Sequence, residues 1–174
     1  MIRLAMDILA NSIEIETEIW RTNTDKFIKC YMIFDTGAAM TTIDTDIAIR
    51  CGYDLKNAKE VLVNGIGRSN IQAKQIIIPS FKLDNIELGS IAADVVDFPE
   101  NSNTRAVLGV NVIKEFRVIM DFQDKSIKDG IIYLEPTFDI NDIKSTNTFN
   151  PFESRFSIWN IDGQLPVENY MNIE

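Results

Sequence analysis

The sequence predicts a mostly β protein with one or two short helices. Residues 12–20 alternate between apolar and acidic side chains, a period of two that is typical of a strand buried on one face. Short apolar runs bounded by turn residues then recur as far as Glu135. Cap residues at the right spacing indicate helices in two short stretches between these runs.

The first two strands form a predicted hairpin. A polar turn, residues 21–26, joins residues 12–20 to a nearly continuous apolar run, residues 27–34. The first strand has two distinct faces: Ile13, Ile15 and Ile19 on one, and Glu14, Glu16 and Glu18 on the other. We expect the glutamates to form a solvated face rather than a metal site, because a flat strand does not make its carboxylates converge.

Two short helices interrupt the strands. The first begins after Asp44 or Thr45, either of which can cap its N-terminus, and Gly52 can end it in the left-handed conformation. Asn111 is the predicted cap of the second helix, residues 112–116.

The remaining apolar runs are predicted strands within one domain, residues 1–136. They comprise residues 60–64, 70–78, 81–83, 86–96 with an interruption at Gly89, 105–109, 118–122 and 131–135. From Pro136 onward the composition shifts to Asn, Asp, Thr and Ser with scattered aromatic residues. We therefore expect residues 137–174 to be a C-terminal extension, partly ordered and in contact with a dimer partner or a cleft.

Acid–base chemistry in this chain has to use residues other than histidine, because none of the 174 residues is a histidine. This excludes Ser-His-Asp and Cys-His nucleophile pairs and histidine-based zinc sites. Catalysis would have to rely on Asp, Glu, Lys, Tyr or Cys. The 17 Lys and Arg residues against 26 Asp and Glu give a net charge of −9, which argues against nucleic acid as a partner.

Cysteine usage and the N-terminal residues indicate a cytoplasmic protein. Cys30 and Cys51 lack CxxC spacing, so we expect two reduced, buried thiols. Asp7 stands where a signal peptide would remain apolar. No apolar run approaches the roughly 18–20 residues of a membrane span, so we expect no membrane partner.

The segment with the clearest chemical content is residues 32–43, which contains Asp35, Thr36 and Gly37. An apolar strand that ends in Asp35 would place a carboxylate on the floor of a cleft. The Thr36 hydroxyl could hydrogen-bond across a pair of such loops, and Gly37 lets backbone approach the carboxylate closely. By itself Asp-Thr-Gly also fits a surface turn, because all three residue types occur in turns.

Together with later segments, this loop resembles the active-site loop of the retropepsin-like aspartic proteases. Residues 107–113 (VLGVNVI) resemble the second landmark of that family, two apolar residues and a glycine before a short helix that supports the loop. Residues 116–122 and 131–134 match its closing strands, and residues 64–69 (NGIGRS) match its flap in position. The resemblance covers residues 10–136 and implies a closed acid-protease barrel.

The resemblance implies an aspartic endopeptidase that requires no metal or cofactor. It assigns catalysis to Asp35, Thr36 and Gly37. It assigns substrate binding to the residues that follow them and to the flap tip: Ala38, Ala39, Gly65, Ile66, Gly67 and Arg68. The backbone N–H of Ala38 is an expected donor, and Ile66 fits the family preference for apolar side chains beside the cleaved bond.

The same resemblance implies a homodimer. Aspartic protease chemistry uses two carboxylates that share one proton, whereas this sequence contains a single Asp-Thr-Gly. Asp35 of a second copy would supply the other carboxylate. The substrate would be an extended polypeptide held by main-chain hydrogen bonds.

Plainer interpretations and other functions stay open at this point. Gly65 and Gly67 fit an ordinary hairpin turn, and Asp121 fits a strand-end carboxylate. Arg68 and Val110 stand where retroviral relatives often have a glycine and an arginine, so the flap and the dimer contacts would differ. The alternative functions are a catalytically silent dimerisation or peptide-binding module and a peptidase that acts only within a larger assembly.

Overall fold

The computed structural model describes residues 1–9, 12–65, 68–122 and 130–137. Thirteen strands and two helices lie in this part of the chain. In chain order they are β1 (Ile2–Ala5), β2 (Asp7–Leu9), β3 (Ser12–Arg21), β4 (Lys26–Phe34), β5 (Thr41–Asp44), α1 (Thr45–Arg50), β6 (Lys59–Gly65), β7 (Arg68–Ile78), β8 (Phe81–Leu83), β9 (Ile86–Glu87), β10 (Ile91–Val96), β11 (Ala106–Leu108), α2 (Val110–Ile113), β12 (Phe116–Asp121) and β13 (Ile131–Pro136).

The predicted hairpin of the first two long strands is confirmed as β3 and β4, which pair antiparallel. Ile15 and Ile19 are buried at 1% and 0% exposure, so the alternating pattern places its apolar residues in the core. The acidic face is solvated as expected. There Glu16 bridges to Lys29 at 2.7 Å and accepts a hydrogen bond from the Tyr31 hydroxyl at 2.8 Å.

The strands form two open sheets, so the expected closed barrel is not found. The larger sheet has the order β6-β7-β10-β5-β11-β4-β3-β8-β9, with β2 paired to β3. Within the described residues, no ladder joins its edge strands β6 and β9. The closing strands β12 and β13 instead pair with β1 in a separate three-stranded sheet of order β1-β13-β12.

Helix α1 begins and ends as the sequence predicts. The Asp44 carboxylate accepts a hydrogen bond from the Asp46 N–H at 3.0 Å, which makes Asp44 the N-cap. Gly52 follows the helix with a φ of +83°, the left-handed conformation that glycine adopts without strain.

The second predicted helix is shorter and earlier than expected, and the prediction that Asn111 caps it is wrong. Helix α2 spans Val110–Ile113, and its N-cap is Gly109. Asn111 lies inside the helix, where its side chain bonds to another part of the fold. The helix ends early because Phe116 begins β12.

A single apolar cluster lies beneath both sheets and includes both cysteines. Cys30 and Cys51 are free and buried, and burial raises the pKa of the Cys30 thiol to about 12. Among the described helices, none is long and apolar enough to cross a membrane. The predicted C-terminal extension lies outside the described residues beyond Thr137.

Candidate active site

Strand β4 positions Asp35 at the surface end of a buried strand. The core side of β4 includes Met32 and Phe34, which are 0% and 6% exposed. Directly after β4, the backbone N–H of Asp35 donates to the Leu108 carbonyl at 3.1 Å, which extends the parallel β4–β11 pairing by one bond. The Asp35 side chain is therefore presented from a fixed backbone and remains partly exposed.

The Asp35 carboxylate is held by its own loop. The Gly37 N–H donates to Asp35 Oδ1 at 2.8 Å, and the Ala38 N–H donates to the Asp35 carbonyl at 3.3 Å. Thr36 and Gly37 are exposed, and so is Ala39. The backbone N–H of Gly37 therefore orients Oδ1 of Asp35, whereas Oδ2 takes no part in that hydrogen bond.

Helix α2 anchors the far side of the loop. The Val110 N–H donates to the Ala38 carbonyl at 2.8 Å, and the Asn111 N–H donates to the Ala39 carbonyl at 3.0 Å. The first backbone donors of the helix are thereby satisfied by the loop that follows Asp35. The loop and the helix consequently form one hydrogen-bonded unit, as the resemblance implied for residues 107–113.

Asn111 ties three segments together. Its Oδ1 accepts from the Thr41 N–H at 2.7 Å and from the Thr41 hydroxyl at 2.9 Å. Its Nδ2 donates to the Ala92 carbonyl in β10 at 2.9 Å. The Thr41 hydroxyl also accepts from the Gly109 N–H at 3.2 Å. Sequence reasoning missed this positioning role, because an asparagine beside a helix start indicates a cap unless its distant partner is known.

Gly109 is required by the close approach of two backbones. A Cβ at this position would lie 2.3 Å from the Met40 carbonyl carbon and 2.6 Å from the Thr41 nitrogen. Those contacts are with backbone, which has little room to move. Gly109 thus allows β11 and α2 to pack directly against the end of the Asp35 loop.

The predicted flap segment is a long antiparallel hairpin of β6 and β7. The arms pair as far as Gly65 and Arg68, with a register shift between Val63 and Gly65. Asn70 has a φ of +58°, and its N–H donates to the Asn64 side chain at 3.1 Å. Ile66 and Gly67 lie outside the described residues, as does the side chain of Arg68.

Of the predicted site residues, the structure brings Asp35, Thr36, Gly37, Ala38 and Ala39 into one loop. Gly65 and Arg68 lie in the β6–β7 hairpin, and three strands, β10, β5 and β11, separate β7 from β4 in the sheet. Across residues 1–9, 12–65, 68–122 and 130–137, no group of three or more Asp, Glu or Cys side chains is placed to hold a metal ion.

An aspartate at the end of a buried strand, a following Thr-Gly turn and a short helix that braces the turn define the class of acid-protease folds. The aspartyl protease family model matches residues 24–112, just over half of the chain. This chain belongs to the aspartyl protease family.

A solved structure shows the same fold. The chain is similar to a retropepsin-like aspartic protease from Rickettsia conorii, with a TM-score of 0.55 and 20% identity over 77% of this chain and 89% of that one. It also matches the retroviral protease-like domain of Ddi1 from Leishmania major, with a TM-score of 0.43 and 15% identity over 74% of this chain and 97% of that one. Among curated protein sequences, none matches. The fold is therefore retropepsin-like, as the sequence predicted.

Proposed function

We propose that this protein is an aspartic endopeptidase whose catalytic dyad consists of Asp35 from each of two copies. The observation that supports it best is the Asp35 loop itself. Its carboxylate is oriented by the Gly37 N–H, and its backbone is fixed by β11 and α2. Such preorganisation is what a carboxylate needs to act on a bound substrate.

The chemistry requires the second copy because one carboxylate cannot perform both roles. An ionised carboxylate takes a proton from a water molecule, whose oxygen forms a bond to the scissile carbonyl carbon. A protonated carboxyl group donates its proton to the carbonyl oxygen. Collapse of the tetrahedral intermediate breaks the C–N bond, and the amine nitrogen takes the proton that the first carboxylate removed from water. The second carboxylate regains a proton from a hydroxyl group of the intermediate.

The remaining assignments follow the geometry of the loop and the hairpin. The Thr36 hydroxyl is exposed and free to contact the Asp35 loop of the second copy. The β6–β7 hairpin covers an extended polypeptide, whose main chain bonds to the cleft in the manner of an added strand. Near the edge strand β12, Ile119 and Phe122 are 43% and 57% exposed, which offers apolar surface to a second copy.

The decisive experiment compares wild type with Asp35→Asn in sedimentation and in cleavage of a peptide library. The expected result is a dimer whose specific activity rises with the dimer fraction, and an Asp35→Asn variant that dimerises without cleaving. Loss of a catalytic carboxylate is expected to lower the rate by at least about a thousandfold.

Asp25→Asn is the matched control. Asp25 is exposed in the β3–β4 turn with a φ of +51°, a conformation that asparagine tolerates. This variant loses the same charge and should cleave like wild type. Undiminished cleavage by Asp35→Asn would show that the dyad assignment is wrong. Dimers of wild type that bind peptides but cleave none would show a silent binding module instead.

A further inference from the structure

A row of paired residues crosses the larger sheet from the strand of Asp35 to the hairpin. Register pairing sets these residues side by side: Ile33 in β4, Val107 in β11, Thr42 in β5, Asp94 in β10 and Gln75 in β7. Directly paired residues of neighbouring strands point to the same face of a sheet. We call this set the cross-strand row.

The cross-strand row shares its face with Asp35. Ile33 precedes Asp35 by two positions, and side chains alternate along an extended chain, so both point the same way. Ile33, Val107 and Thr42 are partly exposed. The residues that flank the row point to the opposite face and are buried: Met32, Phe34, Ala106, Leu108, Ala93 and Val95.

The row forms the wall between the catalytic loop and the hairpin. It begins on β4, which leads into Asp35, and ends on β7, one arm of the hairpin. A polypeptide held between them has to lay side chains against this wall. Three strand spacings separate Ile33 from Asp94, roughly 14 Å. An extended chain covers that distance in about four residues.

Asp94 is the one carboxylate of the row, and it lacks a cation within the described residues. It is 4% exposed, and the Gln75 amide donates to its Oδ1 at 3.2 Å. In that same part of the chain, no Lys or Arg forms an ion pair with Asp94, and no hydrogen bond reaches its Oδ2. Burial raises the pKa of this carboxyl group, because the charged form is poorly solvated.

Asp44, another buried carboxylate of this region, shows the contrast. Arg105 bridges to Asp44 Oδ2 at 3.3 Å, and the N–H groups of Asp46 and Phe98 donate to its two oxygens. The charge of Asp44 is therefore compensated within the chain. Asp94 is buried to the same extent, but among the described residues it accepts a hydrogen bond from one neutral donor. A cation from outside the chain would therefore compensate its charge.

We propose that Asp94, flanked by Thr42 and Gln75, is a specificity-determining residue that binds a lysine or arginine side chain of the substrate. This inference rests on the proposed function, because it assigns a substrate class to the same cleft. The incoming ammonium or guanidinium group donates to Asp94 Oδ2, and the Thr42 hydroxyl accepts a further hydrogen bond. Substrates with a basic residue within about four positions of the scissile bond are preferred.

The charged groups around Asp94 set the expected pH dependence. Lys59 in β6 pairs with Gln75 and so lies at the end of the row. The ion pair between Asp44 and Arg105 lies on the next row of the same face. Lys59 is exposed, and the other pair is internally neutralised. Ionised Asp94 attracts a cation and protonated Asp94 does not. The preference for a basic residue is therefore lost as the pH falls through the raised pKa of Asp94. This loss occurs at a higher pH than it would for an ordinary aspartate.

The test measures binding of fluorescent peptides to Asp35→Asn protein, which holds them without depending on turnover. The peptides share one apolar sequence and carry either lysine or norleucine at each of eight successive positions in turn. At one position, the peptide with lysine should bind roughly tenfold to a hundredfold more tightly than the peptide with norleucine. This is the gain expected from a hydrogen bond to a charged group. Adding Asp94→Asn should reduce that ratio to about one without weakening the norleucine peptide.

Asp97→Asn is the matched control, because Asp97 is exposed and loses the same charge. It should keep the lysine preference, whereas a structural role of Asp94 would lower the affinity for both peptides equally. An unchanged ratio in Asp94→Asn, or no binding of any peptide, would overturn the inference. Cleavage by wild type without an Asp94-dependent preference would refute the inference and keep the proposed function. If wild type cleaves no peptide but lysine peptides bind in an Asp94-dependent way, the proposed catalytic function alone would be refuted.

Discussion

The Asp35 loop and the β6–β7 hairpin differ in the origin of their contacts. The loop is held by residues far away in sequence, such as Asn111, which lies 70 positions from Thr41. The outer part of the hairpin is held by its own ladder, because β7 pairs with β10 only from Lys74 to Ile78 and β6 is an edge strand of the larger sheet. Leu62 in β6 is 66% exposed, and the ion pair between Lys74 and Glu60 lies at the surface.

Under the proposed function, this difference matches two requirements of a substrate cleft. A reacting carboxylate has to be held within a fraction of an ångström, which long-range packing achieves. A cover over a substrate has to open and close, so it belongs among the elements with few tertiary contacts. The two regions should accordingly respond very differently to equivalent substitutions.

The largest expected difference is between two glycines. Gly109→Ala should lower the free energy of unfolding by about 3 kcal/mol, because its Cβ would lie 2.3 Å from the Met40 carbonyl carbon. Gly65→Ala in the hairpin should change it far less, since the nearest atom is 3.5 Å away. Urea unfolding of both variants is the measurement. Equal losses would contradict the contrast between the regions.

A smaller loss is expected for Asn111→Ala. The Thr41 N–H and the Ala92 carbonyl would each lose a partner, which should cost about 2 kcal/mol and lower the rate of peptide cleavage. Asn57→Ala is the control, because Asn57 is exposed and bonds only to nearby Asp54 among the described residues. If both variants keep wild-type stability and activity, the brace on the Asp35 loop is unimportant.

The smallest effect is expected from the exposed pair of the hairpin. Glu60→Gln removes the bridge to Lys74, which lowers the pKa of Glu60 in the folded protein. The unfolding midpoint should nevertheless stay within experimental error at physiological salt, because such a pair is exposed and screened. The midpoint would be compared with wild type at low and high salt. A clear loss of stability would mean that the hairpin is more firmly held than its contacts indicate.

Local pattern is enough to predict much of the fold, whereas the Asp35 loop is singled out only by the family resemblance. The β3–β4 hairpin follows from alternation, and helix α1 follows from Asp44 and Gly52. Strand β1 was not predicted, although Ile2, Leu4 and Met6 alternate and are buried at 1%, 7% and 0%. Its partner β13 lies at the other end of the described chain, and pairing at that separation leaves no local signal.

Long-range partners also explain the other discrepancies. The brace by Asn111 depends on Thr41 and Ala92, and local spacing does not indicate either contact. The expected barrel is absent because β12 and β13 pair with β1 rather than with an edge of the larger sheet. Asp94 sits in the predicted strand of residues 86–96, and its place beside Thr42 and Gln75 emerges only with the strand order.

The pairing of β1 with β13 also constrains how the protein is made. During synthesis β1 leaves the ribosome before the other described strands, whereas its partner β13 is the last of them to emerge. Until then β1 lacks its ladder partner, and the apolar side chains of Ile2 and Leu4 remain available for non-native contacts. High contact order of this kind slows folding. The small sheet should thus form last, in a step that follows assembly of the larger one.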